Sequence, residues 1–187
     1  NDLYKIFFAT RNKDNMSQIG YIVIDLRDPA DVIEISRNPV LTLGPLGTFD
    51  DSAVIPSCVL DYQGKKYLYY VGWMQGKRIP YYASVGLAMS DDGGNTYHKV
   101  SRGPLLERND IDPYFTASLD ILIEDGLWRM WYLTNTQWRI VEGEPSPRYH
   151  IKYAESDDGN NWRRQGIVAI DFRSPDEYAI ARPRVIK

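Results

Sequence analysis

The chain has 187 residues, a formal net charge of −3, and 43% hydrophobic residues, of which the aromatic ones are numerous. This composition supports a packed core, and the scattered lysines and arginines argue against nucleic acid or an anionic membrane as a partner. No apolar run is long enough to cross a membrane, no signal peptide is visible, and the single cysteine, Cys58, excludes an internal disulfide. The single cysteine and the lack of a visible signal peptide favour a cytoplasmic location, although the compartment stays open.

Short segments of alternating apolar and polar residues follow one another along the whole chain, which is typical of β-strands. Gly, Pro and Asp-rich turns separate them, and a longer polar loop is expected over residues 135–147. No segment has the period of a helix. The predicted strands are residues 4–10, 19–26, 32–35, 39–41, 54–62, 67–73, 85–89, 97–100, 117–124, 128–133, 151–155, 162–169 and 179–186.

Two sequence elements occur twice. Ser84–Gly93 is matched by His150–Gly159, and Gly64–Tyr70 is matched by Gly126–Tyr132. Self-similarity of this kind is the signature of a repeat architecture, and a repeat of strand, turn, strand and turn indicates a β-propeller blade.

We therefore predict an all-β propeller of four-stranded antiparallel blades, of which this chain supplies about three. A single partial propeller domain spans residues 1–187, with blade repeats at approximately 1–47, 48–110 and 111–174 and the start of another at 175–187. A propeller closes with about four to eight blades, so an incomplete ring leaves strand edges open. The chain is expected to be a fragment or to form a homo-oligomer that completes the ring.

Ser90–Tyr97 fits the Asp-box pattern Ser-x-Asp-x-Gly-x-Thr-aromatic, and Ser156–Trp162 is a looser copy. In such a turn the Asp accepts backbone N–H groups, Gly supplies the positive φ, and the aromatic ring packs underneath. The motif joins the two outer strands of a blade, and we assign it a structural role.

Three acids precede the predicted inner strands, at 54–62, 117–124 and 179–186, in about the same place of each repeat: Asp50, Asp112 and Glu177. Converging carboxylates suit cleavage of a glycosidic bond, in which one acid protonates the leaving oxygen and another activates water or attacks the anomeric carbon. Asp51 is the rival to Asp50. The alternative is that these acids cap turns or pair with arginines such as Arg108, Arg182 or Arg184.

Trp73, Trp138 and Tyr81 lie at loop edges, where an exposed ring could stack on a sugar, although ordinary packing is the alternative for each. His98 and His150 have no Cys or His partner at ligand spacing, so no metal site is expected. No phosphate-binding glycine loop is present, and no cofactor is expected. The serines have no histidine partner, so a Ser-His-Asp triad is not expected either.

The sequence resembles the five-bladed propeller glycosidase-like proteins, the fold of glycoside hydrolase families 32, 43, 62, 68 and 130, and is similar to a group of bacterial glycosyl hydrolase-like proteins. The segments that carry this resemblance span nearly the whole chain: Tyr4–Arg11, Gly47–Asp51, Trp128–Tyr132, Ile151–Ser156 and Glu177–Pro183.

The resemblance implies a carbohydrate-facing central pocket, with acids at the starts of inner strands acting as base, auxiliary acid and proton donor. On this reading Glu177 is the proton donor, Asp50 a base or nucleophile, and Asp112 tunes a pKa or binds sugar. Arg182 orients the neighbouring acid or binds sugar hydroxyls. The inner strand of the first blade is absent here, so one acid of the set has no counterpart.

Three other functions stay open. A non-catalytic carbohydrate-binding or scaffold propeller would use the acids only to bind hydroxyls or hold turns. Arg78-Ile79-Pro80 resembles the Arg-Ile-Pro motif of the six-bladed sialidases, in which the Arg binds a carboxylate, but here it lies between two strands of one blade. A protein-interaction platform would expose a broad apolar face.

Overall fold

The computed structural model describes residues 2–187, which form eleven β-strands. In the order of the chain the strands are β1 (Leu3–Arg11), β2 (Ser17–Asp25), β3 (Asp28–Ile35), β4 (Ala53–Tyr62), β5 (Lys65–Gln75), β6 (Tyr81–Ser90), β7 (His98–Lys99), β8 (Thr116–Glu124), β9 (Leu127–Val141), β10 (Glu144–Ser156) and β11 (Trp162–Ile170). Residues 2–187 contain no helix that could cross a membrane.

The strands form three antiparallel groups, each built by successive hairpins. β2 pairs with both β1 and β3, the second group has the order β4-β5-β6-β7, and the third has the order β8-β9-β10-β11. Among the described residues, the strand pairing between the first two groups is a parallel pairing of Ser17 with Ala53. The prediction of an all-β fold with four-stranded antiparallel sheets, arranged as a partial propeller, is confirmed.

Neighbouring groups pack face to face through large side chains. Between the second and third groups, Tyr69 and Cys58 pack with Trp128, Met130 and other buried residues. Between the first and second groups, Ile19 and Tyr21 pack with Leu68 and Tyr70 in the same way. Alternate residues of a strand face opposite sides of its sheet, so one set packs against the preceding group and the other against the following group. The alternating pattern of the sequence therefore reflects the packing of neighbouring sheets.

The two aspartate turns have the expected structure. Asp92 accepts hydrogen bonds from the backbone N–H groups of Asn95 and Thr96, at 2.9 and 3.0 Å, and from the Thr96 hydroxyl. Asp158 accepts the backbone N–H groups of Asn160 and Asn161, at 2.8 and 2.7 Å. Both carboxylates lie in the turn between the third and fourth strands of their sheet.

Three expectations about strands are wrong. Residues 39–41 form no strand, and only Leu41 pairs, through an isolated bridge with Ile19. Residues 135–147 do not form a loop, because β9 and β10 continue as a long hairpin that turns at Glu142 and Gly143. The alternation of Trp138 and Ile140 with polar residues supports this extension despite two prolines. Residues 179–186 form no strand, and within residues 2–187 their one bridge joins Ala179 to Tyr149.

Candidate functional site

An open cleft of about 360 Å³ lies where the inner strands of two sheets meet the extended C-terminal segment. β4 contributes residues 55–57, β8 and the residue before it contribute Phe115 and residues 117–119, and the C-terminal segment contributes residues 181–184. These are the three inner-strand positions expected from the sequence.

The C-terminal segment is held against the two sheets at both of its ends. Ile180 N–H donates to the Tyr149 carbonyl at 3.0 Å, and Tyr149 N–H donates to the Tyr178 carbonyl at 3.0 Å. Further along, Val185 N–H donates to Asp120 Oδ2 at 2.8 Å. Asp120 belongs to β8, so the segment runs across the inner strand and forms one wall of the cleft.

Aromatic rings form another wall. The Trp73 and Tyr81 ring centroids lie 5.2 Å apart, and Tyr81 and Phe115 lie 5.6 Å apart. Tyr149 continues the row beyond Phe115. Trp73 lies near the end of β5 and Tyr81 at the start of β6, so the loop between these strands places both rings at the mouth of the cleft.

Three arginines also line the cleft: Arg11 at the end of β1, and Arg182 and Arg184 in the C-terminal segment. The Arg11 guanidinium lies over the Trp73 ring, 5.6 Å from its centroid. Among the cleft-lining residues of the described chain there is no Asp or Glu. The site is thus aromatic and cationic.

Asp50 lies outside this cleft and is buried. Its carboxylate accepts the Tyr70 hydroxyl at 2.9 Å and the Thr48 hydroxyl at 2.9 Å, and Lys99 Nζ lies 2.5 Å away. Tyr70 reaches it by crossing the sheet over Gly86, where a Cβ atom would lie 2.3 Å from the ring. Burial and the neighbouring carboxylate raise the pKa of Tyr70.

Asp112 is fully buried in an equivalent arrangement. It accepts the Tyr132 hydroxyl at 2.9 Å and the Thr134 hydroxyl at 2.8 Å, and it pairs with Lys152 at 3.0 Å and Arg164 at 3.1 Å. Desolvation raises the pKa of Asp112, but the hydrogen bonds from Lys152 and Thr134 outweigh it, so the pKa lies below its usual value. The carboxylate is ionised, with both oxygens occupied.

The two aspartates occupy the same position in successive sheets, as the sequence alignment predicted. In each case the tyrosine that donates to the carboxylate lies 20 residues further along the chain. Each aspartate is bound by a tyrosine and a cation from its own sheet, which locks the loop before the inner strand to the middle of that sheet. The threonine comes from the loop itself at Asp50 and from β9 at Asp112. Their catalytic roles stay predictions.

Glu177 is in a different environment, half-buried in the loop between β11 and the C-terminal segment. Its carboxylate accepts the Arg173 N–H, and its carbonyl accepts Arg148 Nε at 3.2 Å. The same loop is anchored by His150, whose Nδ1 lies 2.9 Å from Asp171 Oδ1. Glu177 is not among the cleft-lining residues, although its loop leads directly into them.

The other predicted binding residues divide into two groups. Trp73 and Arg182 line the cleft. Asp51 instead caps its own turn, accepting Gly47 N–H at 2.9 Å, and Trp138 packs beside Phe115, 5.8 Å away, without lining the cleft. Arg78 is exposed on the loop after β5, outside the cleft.

Arg11, Tyr149 and Arg184 were not predicted as site residues. Arg11 follows a strand of the first sheet and reaches the cleft from another blade, so no local pattern marks it. Tyr149 belongs to β10, which was expected to begin only at residue 151. Within residues 2–187 no group of His, Cys, Asp or Glu is arranged to hold a metal ion.

No protein-family model matches the chain. An uncharacterized protein of Mycobacterium tuberculosis, Rv1502, is 31% identical over 186 residues, which is all of this chain and 61% of that protein. A protein of a second strain, MT1551, matches to the same extent. The chain thus spans about three fifths of the length of the curated relatives it matches.

Several solved structures have a similar fold at low sequence identity. A family 117 glycoside hydrolase from Zobellia galactanivorans has a TM-score of 0.68 at 13% identity, covering 88% of this chain and 52% of its own. Sucrose-6-phosphate hydrolase from Lactobacillus gasseri has a TM-score of 0.65 at 14% identity, and the match covers 91% of this chain and 33% of that protein. A thermostable family 43 glycoside hydrolase has a TM-score of 0.58 at 18% identity, covering 95% and 57%.

These glycoside hydrolases are five-bladed β-propellers. The similarity extends over nearly the whole chain, so the resemblance noted in the sequence is confirmed for the fold. The chain has the fold of the five-bladed propeller glycosidases.

Proposed function

We propose that the protein processes carbohydrate and that this chain binds a sugar ring in the cleft between β4, β8 and the C-terminal segment. The observation that carries the proposal is the pair of rings at the cleft mouth, Trp73 and Tyr81, beside arginine side chains. An aromatic face supports the apolar C–H face of a sugar, while the charged groups bind its oxygens.

The size of the cleft supports this proposal. A cavity of about 360 Å³ is at the small end of ligand pockets, which measure about 300–1,000 Å³, and suits one or two sugar rings. The fold is that of propeller glycosidases. The activities of those enzymes belong to other proteins and come to this chain only as a proposal. Because the chain spans 61% of its curated relatives, the activity of the whole protein is also part of this proposal.

Hydrolysis of a glycosidic bond is the second candidate, and Glu177 is the residue that favours it. Hydrolysis needs two carboxyl groups about 5–10 Å apart around one open pocket. Asp50 and Asp112 are buried with their cations, whereas Glu177 is half-buried in the loop that enters the cleft. Among the three predicted acids, Glu177 is therefore the one best placed to meet a bound sugar.

Sugar binding is tested by calorimetric titration of the full-length protein with a panel of mono- and disaccharides. Trp73→Ala should weaken binding about tenfold, since an aromatic contact contributes about 1 kcal/mol beyond the area that it buries. Tyr4→Ala, at an exposed position on β1, is the matched control and should bind as the wild type does. Failure of every saccharide to bind, or equal affinity of the two variants, would reject the proposal.

Hydrolysis is tested separately with aryl glycosides. Glu177→Gln should lower the rate by about 100-fold or more, the usual contribution of a general acid, while leaving sugar affinity unchanged. Glu142→Gln, in the exposed turn between β9 and β10, is the control. An unchanged rate removes Glu177 from the mechanism, and a wild type that binds sugar without cleaving any glycoside identifies a binding propeller.

A further inference from the structure

The charges of the cleft point to a more specific ligand than a neutral sugar. We propose that the saccharide bound there carries an oxyanion, as a carboxylate, phosphate or sulfate group, and that Arg182 and Arg11 bind this group. The inference rests on the proposed sugar-binding function and adds the chemical class of the ligand.

Arg182 has an unusual backbone conformation. Its φ is 52°, and the other four non-glycine residues with positive φ lie in tight turns between strands: Asn15, Gln63, Asp125 and Glu142. Arg182 instead lies in a segment without regular secondary structure and precedes Pro183, where a residue normally adopts a β or polyproline conformation. A non-glycine residue in this region costs about 1–3 kcal/mol, and such residues concentrate at ligand sites.

The Arg182 side chain is also free to bind a ligand. It lines the cleft and is exposed, and within residues 2–187 no carboxylate lies within ion-pair distance of it. The strained backbone is therefore not explained by an internal contact of the guanidinium. The position of Arg182 suits binding of a ligand in the cleft.

Arg11 approaches the same cleft from the first sheet. The central carbon of its guanidinium lies over the Trp73 ring, and Nη1 donates to the neutral Asn15 side chain at 3.0 Å. Among the described residues no carboxylate forms an ion pair with Arg11. Its other guanidinium N–H groups have no partner among the described residues, and a planar guanidinium suits carboxylate, phosphate or sulfate.

The third arginine is partly neutralised. Arg184 Nη1 lies 3.4 Å from Asp120 Oδ1, and Asp120 also accepts the Val185 N–H. This pair fixes the C-terminal segment and leaves two uncompensated positive charges at the cleft. They stand out in a chain whose net charge is −3. Positive charge concentrated in a concave site attracts anions and selects against cations.

The test compares glucose with glucuronate, glucose 6-phosphate and glucose 6-sulfate by calorimetry, using the full-length protein at low salt. At least one anionic sugar should bind ten times or more tightly than glucose, and added salt should reduce this difference. The anionic sugar that binds best identifies the group. Inorganic phosphate, sulfate and acetate should bind more weakly than that sugar.

Arg182→Gln should remove most of the preference for the anionic sugar, while Arg139→Gln, at an exposed position of β9 outside the cleft, should not. Arg182→Gly separates binding from folding, because glycine adopts positive φ without strain. This variant should be as stable as the wild type or more stable, yet should also lose the preference.

Equal affinity for glucose and the anionic sugars would overturn this inference and leave the proposed function intact. Inorganic ions that bind as tightly as the sugars would overturn it as well, since the sugar would then contribute nothing. A preference that survives in Arg182→Gly would assign it to other residues and reject the role of Arg182. Failure of all sugars, neutral and anionic, would reject the proposed function itself.

Discussion

At the scale of single residues, Asp50 and Asp112 show how an acid repeated at one position can stabilise a blade. Each carboxylate accepts a tyrosine hydroxyl and lies beside a cation in a site that water does not reach. A buried charge of this kind is tolerated because its partners satisfy it, and removing one member leaves the others without compensation.

Asp112→Asn should therefore lower the free energy of unfolding by about 3 kcal/mol, because Lys152 and Arg164 would keep their buried charges without a counterion. Urea denaturation measures the loss. Asp110→Asn, two residues away and exposed, is the control and should change stability little. Equal stabilities for the two variants would mean that the buried network does not hold the sheet together.

The sequence predicted the equivalence of Asp50 and Asp112 but not their environment. The aspartates lie at matching places in a repeat, and the amino-acid sequence alone shows this. Their cations come from other strands, Lys99 from β7 and Lys152 from β10, and only the folded sheet brings these side chains to the loop. For the same reason Arg11 could not be assigned to the cleft from the sequence.

At the scale of elements, the aspartate turns fix how the outer strands of each sheet are joined. Hydrogen bonds from the Asn161 and Asn160 backbone lower the pKa of Asp158, and the Thr96 backbone and side chain lower that of Asp92 in the same way. A carboxylate whose pKa is lowered in the folded state stabilises that state above its ordinary pKa. This stabilisation is lost as the pH falls through the folded-state value.

Asp158→Asn should consequently lower the thermal unfolding midpoint at pH 7, and the difference from the wild type should narrow as the pH falls towards about 2. Calorimetric scans across this range give the result. Asp176→Asn, at an exposed position whose carboxylate makes no hydrogen bond or ion pair in the described part of the chain, serves as the control. A difference that stays constant with pH would show that the ionised carboxylate does not stabilise the turn.

Most strands were predictable because alternating apolar residues face the neighbouring blade. The errors lie where this pattern is interrupted. Pro145 and Pro147 suggested a loop, yet both pair with β9 in the extended hairpin, opposite Ile140 and Trp138. Residues 179–186 were predicted as a strand, but their only bridge in the described chain joins Ala179 to Tyr149, and Asp120 of β8 holds the segment through its side chain instead.

At the scale of the whole molecule, the sheets meet around one cleft that no sheet forms alone. β1 and β3 expose apolar side chains at the edge of the first sheet, including Leu3, Tyr4, Val32 and Ile33. Self-association that completes the ring stays a prediction. The sequence indicated the blades and their order, whereas the cationic lining of the cleft depends on side chains from two distant parts of the chain, Arg11 and the C-terminal segment.

The central claim is that a sugar binds at Trp73, and nuclear magnetic resonance of the indole N–H groups tests it most directly. The chain has five tryptophans, so each reports on its own position. Titration with the saccharide that binds best should shift the Trp73 signal and leave that of the fully buried Trp128 in place. A Trp73 signal that does not move for any saccharide, or that moves only together with Trp128, would contradict the account.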